Sequence, residues 1–365
     1  MIRILHIVTY MGRGGLETML MNYYRHMNRD KVQFDFLVHR DFEADYDQEI
    51  LSMGGKLFHV SRLIPWSRGY REKLKSFFHA HPEYKIVHVH QDCLSSVALE
   101  CAKECGVLVR IAHSHNSNQD KNIKYIMKQH YRKKIPQFAT ELFACGKDAG
   151  DWMFTGHRYK ILYNAINTSV YTYSFEKAVT IREKLHVEQN LVIGHVGRFD
   201  AQKNHTFLLD IFSECVNIVP NARLLLVGDG EGRTQIQEKA KSLGLEEKVI
   251  FTGVRNDVAD LLQAMDVFVF PSLYEGVPVT MIEAQASGLP CVISDGVPKD
   301  CVITSGLVTS MKLSDRPCDW AKHIAAQLNR KRENHLEEIQ AAGYDIVTAA
   351  KELENFYLKK YGEES

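Results

Sequence analysis

Short runs of Val, Ile, Leu and Phe alternate with longer amphipathic stretches along the whole chain. Residues 2–9 and 86–90 are apolar runs of this kind, and residues 17–27 and 94–104 are amphipathic stretches that follow them. This alternation is typical of a parallel β-sheet whose faces are covered by helices, because parallel strands need long crossover connections. A chain of 365 residues exceeds the roughly 250 residues at which one core stops growing. We therefore expect an α/β protein with two Rossmann-like parallel-sheet domains in tandem.

The pattern is interrupted at residues 164–174, where Asn, Thr and Ser favour turns. We place an N-terminal domain at residues 1–168 and a C-terminal domain at residues 169–345. A helical pattern at about residues 346–361 is a candidate to pack back on the first domain. Ligands of open α/β sheets bind beyond the carboxyl ends of the strands, which predicts a ligand site in a cleft between two facing domains.

Composition excludes disordered, collagen-like and coiled-coil proteins. Hydrophobic residues make up 45% and charged residues 25% of the chain, as in an average soluble globular protein. No apolar run approaches the ~18 to 20 residues of a membrane span, and residues 2–9 already have a strand pattern. The eight cysteines include no C-x-x-C pair. We expect reduced cysteines in a cytoplasmic protein that reaches the inner face of the cell membrane only peripherally.

The total charge is neutral, but the first part of the chain is basic and the second part is acidic. Residues 1–170 contain 24 Lys and Arg against 17 Asp and Glu, and the remainder contains 21 against 28. Six cations with no acid between them occupy a helical pattern at Lys121, Lys124, Lys128, Arg132, Lys133 and Lys134. This stripe is a candidate contact for an anionic membrane or a lipid diphosphate, and a solvated basic face explains it equally well. Nucleic acid is not expected, since no helix-turn-helix, zinc or RNA-binding signature accompanies the charge.

A glycine-rich loop at residues 12–15 separates the first strand from the first helix. Glycines there let the backbone approach a phosphate at the helix N-terminus. Glu17 stands where the dinucleotide fingerprint has its third glycine, and the Walker pattern is missing too. A tight turn is therefore as good an interpretation as a phosphate contact.

The most specific pattern is a pair of carboxylates, Glu275 and Glu283, eight positions apart around the start of a helix. Pro278 suits the first helical turn, so neighbouring amides lack intrahelical partners and can bind an anion. The amides concerned are those of Val277, Val279 and Thr280. Two hydroxyl-binding carboxylates around an anion site match a sugar nucleotide, with its sugar, diphosphate and ribose.

This block, Glu275 to Glu283, resembles the E-x7-E motif of retaining glycosyltransferases of family four, which have the GT-B architecture. Similar blocks occur at residues 194–204 (G-H-V-G-R-F-D-A-Q-K-N), 226–230 (L-V-G-D-G), 251–258 (F-T-G-V-R-N-D-V) and 111–116 (I-A-H-S-H-N). The resemblance spans nearly the full chain, and it implies that the domain at residues 1–168 binds the acceptor and the domain at residues 169–345 binds the nucleotide-sugar donor. It is strongest to bacterial enzymes that build capsular or exopolysaccharide repeat units on a lipid carrier.

The resemblance implies a role for each matching residue. Arg198 and Lys203 would hold the donor diphosphate and offset charge on the leaving group. Glu275 would contact the donor sugar, and Glu283 the ribose hydroxyls. Further donor contacts are implied at Gly14, Gly15, Gly228, Val254, Arg255, Gly276, Val277, Pro278 and Val279.

His113 aligns with the family histidine near the donor sugar and the acceptor, and it completes the predicted catalytic set. We expect His115, two residues on, to point away from that site. In this family the departing diphosphate is the favoured base for front-side attack, so no enzymic nucleophile is assigned. Asp45 and Asp47 match a metal-binding D-x-D pattern of another glycosyltransferase fold, but they open a helix far from the E-x7-E block. No metal and no cofactor besides the donor are expected.

The sequence therefore predicts a retaining glycosyltransferase that moves a sugar from a nucleoside diphosphate donor, UDP-linked by preference, to a polyprenyl-diphosphate-linked saccharide. A GDP-linked donor remains an alternative. Two other classes share the architecture, a hydrolysing UDP-sugar epimerase and a non-catalytic scaffold subunit. An epimerase needs acid and base groups around the sugar ring besides Glu275, and a scaffold does not need the four charged residues of the donor site.

Overall fold

The computed structural model describes residues 1–116, 125–327 and 330–363, and the chain divides into two compact units. Unit 1 comprises Met1–Ala165 and Asp345–Ser365, and unit 2 comprises Ile166–Tyr344. Each unit has one parallel sheet with helices between successive strands. The predicted fold class, two parallel-sheet α/β domains, is confirmed.

The sheet of unit 1 has seven parallel strands in the order β3-β2-β1-β4-β5-β6-β7. The strands are β1 (Ile2–Ile7), β2 (Val32–Val38), β3 (Leu57–His59), β4 (Ile86–Val89), β5 (Val109–Ser114), β6 (Glu141–Ala144) and β7 (Lys160–Ile161). The helices that follow them are α1 (Gly15–His26), α2 (Asp47–Ser52), α3 (Arg68–Ala80), α4 (Ser95–Glu104), α5 (Tyr125–Arg132), α6 (Ile135–Phe138) and α7 (Lys147–Met153). Strands β1 and β2 are buried over nearly their whole length, as a sheet covered on both faces requires.

The sheet of unit 2 has six parallel strands in the order β10-β9-β8-β11-β12-β13. Its helices α8 (Thr168–Tyr171) and α9 (Phe175–Leu185) precede the first strand. The strands are β8 (Leu191–Val196), β9 (Ala222–Val227), β10 (Val249–Phe251), β11 (Val267–Phe270), β12 (Cys291–Ser294) and β13 (Val308–Met311). The remaining helices are α10 (His205–Ile218), α11 (Arg233–Ser242), α12 (Val258–Ala264), α13 (Val279–Ala286), α14 (Pro317–Gln327) and α15 (Leu336–Ala341).

The last helix, α16 (Ile346–Glu363), belongs to unit 1 and packs against α1. Its buried residues recur at helical spacing and form one apolar face, Ile346, Ala349, Ala350, Leu353 and Tyr357. The helix is also tied down by a hydrogen bond of 3.1 Å from the Asn28 amide to the Glu354 carboxylate. A helix with this face could not remain exposed to water, so it covers the sheet of unit 1.

All eight cysteines are free thiols. Burial raises the pKa of several of them, for example that of Cys101 to about 11, so the thiolate form is disfavoured. Within the described ranges, no helix is both long and apolar enough to cross a lipid bilayer.

Candidate functional site

An ion pair in unit 2 joins two residues of the predicted donor site. Lys203 Nζ lies 2.7 Å from Glu275 Oε1, and the two side chains are 16% and 5% exposed. The ammonium group also lies 4.7 Å from the ring centroid of Phe270, the last residue of β11. A charge pair so little exposed is held in one geometry by its neighbours, which suits a site that must present charge at a fixed point.

The loops that carry this pair follow two strands of one sheet, β8 and β11, which lie side by side. The Leu273 amide donates to the Gln202 carbonyl at 2.8 Å, and Gln202 Nε2 donates back to the Tyr274 carbonyl at 3.0 Å. The Glu275 amide donates to the carbonyl of Gly296 at 3.1 Å. Because the carboxyl ends of parallel strands meet at one edge, residues 72 positions apart come into contact.

Asp200 organises the loop that contains Lys203. Its carboxylate caps a single 3₁₀ turn by accepting a hydrogen bond of 3.2 Å from the Lys203 amide. Its other oxygen accepts from Arg198 Nε at 2.8 Å. The Arg198 side chain is 74% exposed. Exposed ion pairs contribute little free energy, so this guanidinium can leave Asp200 for a stronger anion at small cost.

Glu283 lies inside α13 and pairs with a residue from a distant part of unit 2. The Tyr171 hydroxyl donates to Glu283 Oε1 at 2.6 Å. Burial raises the pKa of Glu283, while the hydrogen bond from Tyr171 acts in the opposite direction. The carboxyl group is therefore ordered before any ligand arrives, with one oxygen engaged by Tyr171.

The helix that starts between the two glutamates begins one residue later than we predicted when we placed Pro278 in its first turn. Helix α13 starts at Val279, and Pro278 is its N-cap residue, with φ −71° and ψ 113°. As a proline, this N-cap residue has no side-chain acceptor for the first amides of the helix. The first backbone N–H groups of α13 thus have no intrahelical acceptor, which is the local chemistry that binds anions.

Glycine is required at Gly228, directly after β9. Its φ is +133°, and a Cβ atom there would lie 2.1 Å from the Gly197 carbonyl oxygen. The close contact brings the loops after β8 and β9 together. Of the other predicted donor contacts, Val254 is exposed, and Arg255 makes a bidentate pair with Asp257 at 2.8 and 2.6 Å.

A cavity of about 840 Å³ opens beside these loops in unit 2. Arg198, Phe199 and Ile236 are among the residues that line it. Lys203 and Glu275 lie outside its lining. The cavity therefore adjoins the predicted diphosphate site on the Arg198 side.

In unit 1, the glycine-rich loop meets the start of α1, whose N-cap is Gly14. A Cβ atom on Gly14 would lie 2.3 Å from Glu17 Oε2, so the Glu17 carboxyl group lies against the helix end. Burial raises the pKa of Glu17. A Cβ atom on Gly15 would meet no heavy atom within 4 Å among the neighbours considered. A phosphate at this helix end would have to displace the carboxyl group of Glu17.

The expectation that His113 and His115 point in opposite directions is wrong. Residues two apart along a strand share a face, and the two imidazole rings lie 4.0 Å apart between centroids. His113 is 1% exposed and His115 is half-buried. Burial and the neighbouring histidines lower the pKa of His113 well below its ordinary value, so it is neutral at neutral pH.

The basic stripe is only partly described, because Lys121 and Lys124 lie outside the described residues. Of the rest, Lys128 and Arg132 are on α5, with Lys133 and Lys134 directly after it. Arg132 donates to the Trp152 carbonyl and lies 5.2 Å from the Trp152 ring centroid, so it is part of the fold of unit 1. Lys133 is exposed.

The D-x-D pattern is part of a turn in unit 1. Asp47 is the first residue of α2, and its Oδ2 accepts a hydrogen bond of 2.9 Å from the Ala44 amide. Asp45 lies 3.8 Å from Arg13 at the surface. Both contacts agree with an ordinary helix start.

Three residues of the site were not predicted from sequence. Asp200 and Gln202 stand within the recognised block at residues 194–204, where an Asp before a helical turn is itself a capping signal. Tyr171 precedes Glu283 by 112 positions, and no local pattern connects them. Only the folded chain could have identified it.

Two families match the sequence. Residues 13–170 match the family described as Glycosyltransferase Family 4, and residues 190–330 match the family described as Glycosyl transferases group 1. EpsF of Bacillus subtilis (strain 168), named as a glycosyltransferase, is 37% identical over 372 residues, which are 97% of this chain and 96% of that protein. The capsular polysaccharide biosynthesis glycosyltransferase CapH of Staphylococcus aureus is 25% identical over 375 residues, 99% of each chain.

A third relative is the UDP-Gal:alpha-D-GlcNAc-diphosphoundecaprenol alpha-1,3-galactosyltransferase of Escherichia coli, 26% identical over 235 residues and 60% of each chain. Among solved structures, Anabaena HepE in complex with UDP has a TM-score of 0.82 at 18% identity, covering 98% of this chain and 100% of that chain. Sucrose-phosphate synthase from Thermosynechococcus elongatus has a TM-score of 0.79 at 18% identity, covering 100% of both chains. These structural likenesses concern the fold.

Proposed function

The chain belongs to glycosyltransferase family 4, and from that premise we propose that it transfers a sugar from a UDP-linked donor to a lipid-linked saccharide in capsule or exopolysaccharide assembly. The observation that carries the proposal is the contact of 2.7 Å between Lys203 and Glu275 at the carboxyl edge of the sheet of unit 2. It joins a cation suited to a diphosphate and a carboxylate suited to sugar hydroxyls.

In this proposal the diphosphate lies between Lys203 and the uncapped N-terminus of α13. Negative charge grows on the diphosphate as the bond to the sugar breaks, and fixed positive charge stabilises that state more than the ground state. Arg198 leaves its exposed pair with Asp200 and adds a second, bidentate contact to phosphate. Two cations and a helix end would offset the leaving-group charge, so the reaction proceeds without a metal ion at the diphosphate.

Glu275 binds a hydroxyl of the donor sugar and holds Lys203 in position. Glu283 binds the ribose. Tyr171 occupies Glu283 Oε1, and we assign the other oxygen, Oε2, to a ribose hydroxyl. The sugar reacts with retention of its anomeric configuration, with the departing diphosphate accepting the acceptor's proton, since this route asks for no enzymic nucleophile.

The identities of donor and acceptor rest on the named relatives. Structures of similar fold contain UDP or UDP-glucose, and the relative from Escherichia coli acts, by its name, on a diphosphoundecaprenol-linked sugar. An acceptor of that kind is held at a membrane surface. We propose that the enzyme works peripherally at the inner face of the cell membrane.

The first experiment is thermal melting of the purified protein with a panel of UDP-sugars and GDP-sugars. A ligand at 100 times its Kd stabilises the folded protein by about 2.7 kcal/mol, so the true donor should raise Tm clearly above the other sugars. The best donor is then incubated with a synthetic polyprenyl-diphosphate saccharide, with and without EDTA, and NMR of the product gives its anomeric configuration.

We expect an α-linked product from an α-linked donor, with the same yield in EDTA. An inverted product would refute the retaining mechanism. Loss of activity in EDTA, from a protein whose melting curve shows that it is still folded at the assay temperature, would refute the metal-free reaction. Conversion of the donor alone into an epimer would identify an epimerase. Failure of every nucleotide sugar to raise Tm would identify a scaffold subunit.

A further inference from the structure

We propose that His6, His88 and His90 form a binding site for a divalent transition-metal ion of the zinc type inside unit 1. The inference goes beyond the proposed function and does not depend on it. The proposed ion lies in unit 1, whereas the donor diphosphate is proposed to bind in unit 2 without a metal ion. The three side chains each offer one imidazole nitrogen, and these three atoms all lie within 4.8 Å of one another.

The sheet brings the three rings together. His6 is on β1 and its Cα pairs with that of His88 on the neighbouring strand β4. His90 follows β4, two residues after His88, and residues at this spacing share a face. The ring centroids of His88 and His90 are 4.3 Å apart, and those of His6 and His90 are 5.3 Å apart. The arrangement follows from the fold and needs no movement of the backbone.

The hydrogen bonds of this cluster are incomplete. His6 Nδ1 lies 3.1 Å from His90 Nε2, as either a hydrogen bond or two ligands of one ion would require. Neither His6 Nε2 nor His88 Nε2 has a hydrogen-bond partner among the residues that the structure describes. All three side chains are almost completely buried. An unpaired polar atom in such a place costs about 1–3 kcal/mol, and a metal ion bound to His88 Nε2 would remove that cost at His88.

The distances are close to those of a coordinated ion. Zn–N bonds are about 2.0–2.1 Å, so two nitrogens of a tetrahedral site are separated by about 3.4 Å. The His6–His90 separation is already near this value. Because all three nitrogens lie within 4.8 Å of one another, no pair has to close by more than about 1.4 Å, which rotations of the imidazole rings can provide.

Tyr357 of α16 supplies the outer contact that a histidine ligand needs. Its hydroxyl oxygen lies 2.7 Å from His88 Nδ1. When Nδ1–H donates to this oxygen, the lone pair of His88 is on Nε2, the atom that has no hydrogen-bond partner among the described residues. Metal-binding histidines usually make such a second hydrogen bond, which fixes the tautomer and the orientation of the ring.

The chemistry of the three ligand side chains indicates which metal ion would bind. Three neutral imidazoles with no carboxylate suit Zn²⁺, Cu²⁺ or Ni²⁺, whereas Mg²⁺ and Ca²⁺ prefer oxygen. His113 and His115 form a second group of the same kind with His90. His113 belongs to the predicted sugar site, so the proposal is restricted to the three deeper residues. An ion there would bind side chains of both β1 and β4 and would thereby stabilise unit 1.

The test is a titration of the EDTA-treated, metal-free protein with Co²⁺ and Zn²⁺ alone. We expect one ion per chain, visible absorption of Co²⁺ characteristic of a four-coordinate site with the three imidazoles and one water molecule as ligands, and a higher Tm with Zn²⁺. His88→Gln and His90→Gln should each weaken binding at least tenfold. His79→Gln, an exposed histidine of the same unit, is the matched control and should bind like the wild type.

Tyr357→Phe keeps the ring in the core and removes only the oxygen that faces His88. It should weaken the metal site by about 10- to 100-fold, even if the histidine variants fail to fold. The proposal is overturned if the wild-type protein gives no four-coordinate Co²⁺ spectrum. It is equally overturned if folded His88→Gln and His90→Gln proteins bind as tightly as the His79→Gln control.

Discussion

Lys203 Nζ lies 2.7 Å from Glu275 Oε1, and this contact joins the loop after β8 to the loop after β11. Lys203→Ala and Glu275→Ala should each lower kcat/KM for sugar transfer by roughly 100- to 1000-fold, because each removes a charge placed for the transition state. The double variant should lose little more, since residues that act as a unit are not additive. Steady-state kinetics with the preferred UDP-sugar measure all three.

The same two variants should remain folded while losing about 3 kcal/mol of stability, because each leaves a nearly buried charge without its partner. Urea unfolding measures this loss. Lys322→Ala, which removes an exposed cation beside Asp319, is the control and should change neither stability nor turnover. Wild-type turnover in both single variants would contradict the site.

Glu283→Gln should stabilise the protein and weaken donor binding. Burial raises the pKa of Glu283 above its ordinary 4.5, so the folded chain holds that proton more tightly than the unfolded chain. The stability contributed by the protonated form is complete below pH 4.5 and is lost as pH rises through the folded pKa. The variant should therefore melt above the wild type at pH 8, and the difference should shrink towards pH 4.5.

Donor affinity of Glu283→Gln should fall about tenfold, since a charged acceptor is lost at the ribose. Calorimetric titration with the UDP-sugar measures it. Glu337→Gln, at an exposed glutamate of the same unit, is expected to leave affinity and melting unchanged. If Glu283→Gln binds the donor as tightly as the wild type, the ribose assignment is wrong.

Gly228→Ala should be strongly destabilising, by more than about 2 kcal/mol, because its Cβ would lie 2.1 Å from the Gly197 carbonyl oxygen at a φ of +133°. Gly244→Ala is a matched control, with a φ of +69° and no atom within 4 Å of its Cβ. It should cost about 1 kcal/mol, the price of the backbone conformation alone. Equal melting temperatures for the two variants would show that the Gly197–Gly228 contact can relax.

Lys133→Ala tests the predicted contact with an anionic surface. Each Lys near such a membrane contributes about 1 kcal/mol, so binding to vesicles that contain anionic lipid should weaken about fivefold. The loss should disappear at high salt, where the charges are screened. Co-sedimentation measures it, with Lys322→Ala as the control. If the wild-type protein does not sediment with these vesicles, the basic stripe is a solvated face and not a membrane contact.

Arg132→Ala should behave differently from Lys133→Ala. Arg132 donates to the Trp152 carbonyl and lies over the Trp152 ring, so its removal should lower the Tm of the protein. Differential scanning calorimetry compares the two variants. An Arg132→Ala protein with wild-type stability and weaker vesicle binding would show that this arginine serves the surface.

Much of the candidate site could be predicted from sequence where neighbours along the chain decide the chemistry. The E-x7-E spacing placed Glu275 and Glu283 around a helix start, and the helix α13 begins within one residue of the expected position. Apolar runs alternating with amphipathic stretches were enough to predict two parallel sheets, because strand burial and helix faces leave periodic signals.

The pairing of side chains could not be predicted in this way. The hydrogen bond between Tyr171 and Glu283 and the cluster of His6 with His88 and His90 join strands and helices that are far apart in sequence. The prediction for His115 failed because it assigned the wrong face to a residue two positions along a strand. Such contacts depend on which strands become neighbours and at which register.

The order of residues by itself thus determined the fold class, which follows from local periodicity, and the family, which follows from the resemblance of several short motifs. It also predicts the acidic and basic groups of a donor site. The tertiary structure decided that Lys203 meets Glu275, that Tyr171 engages Glu283, and that His6 lies beside His88 and His90. The physical reason is that burial and contact between distant segments arise only when the sheets assemble, and these set both the pKa of a side chain and its partners.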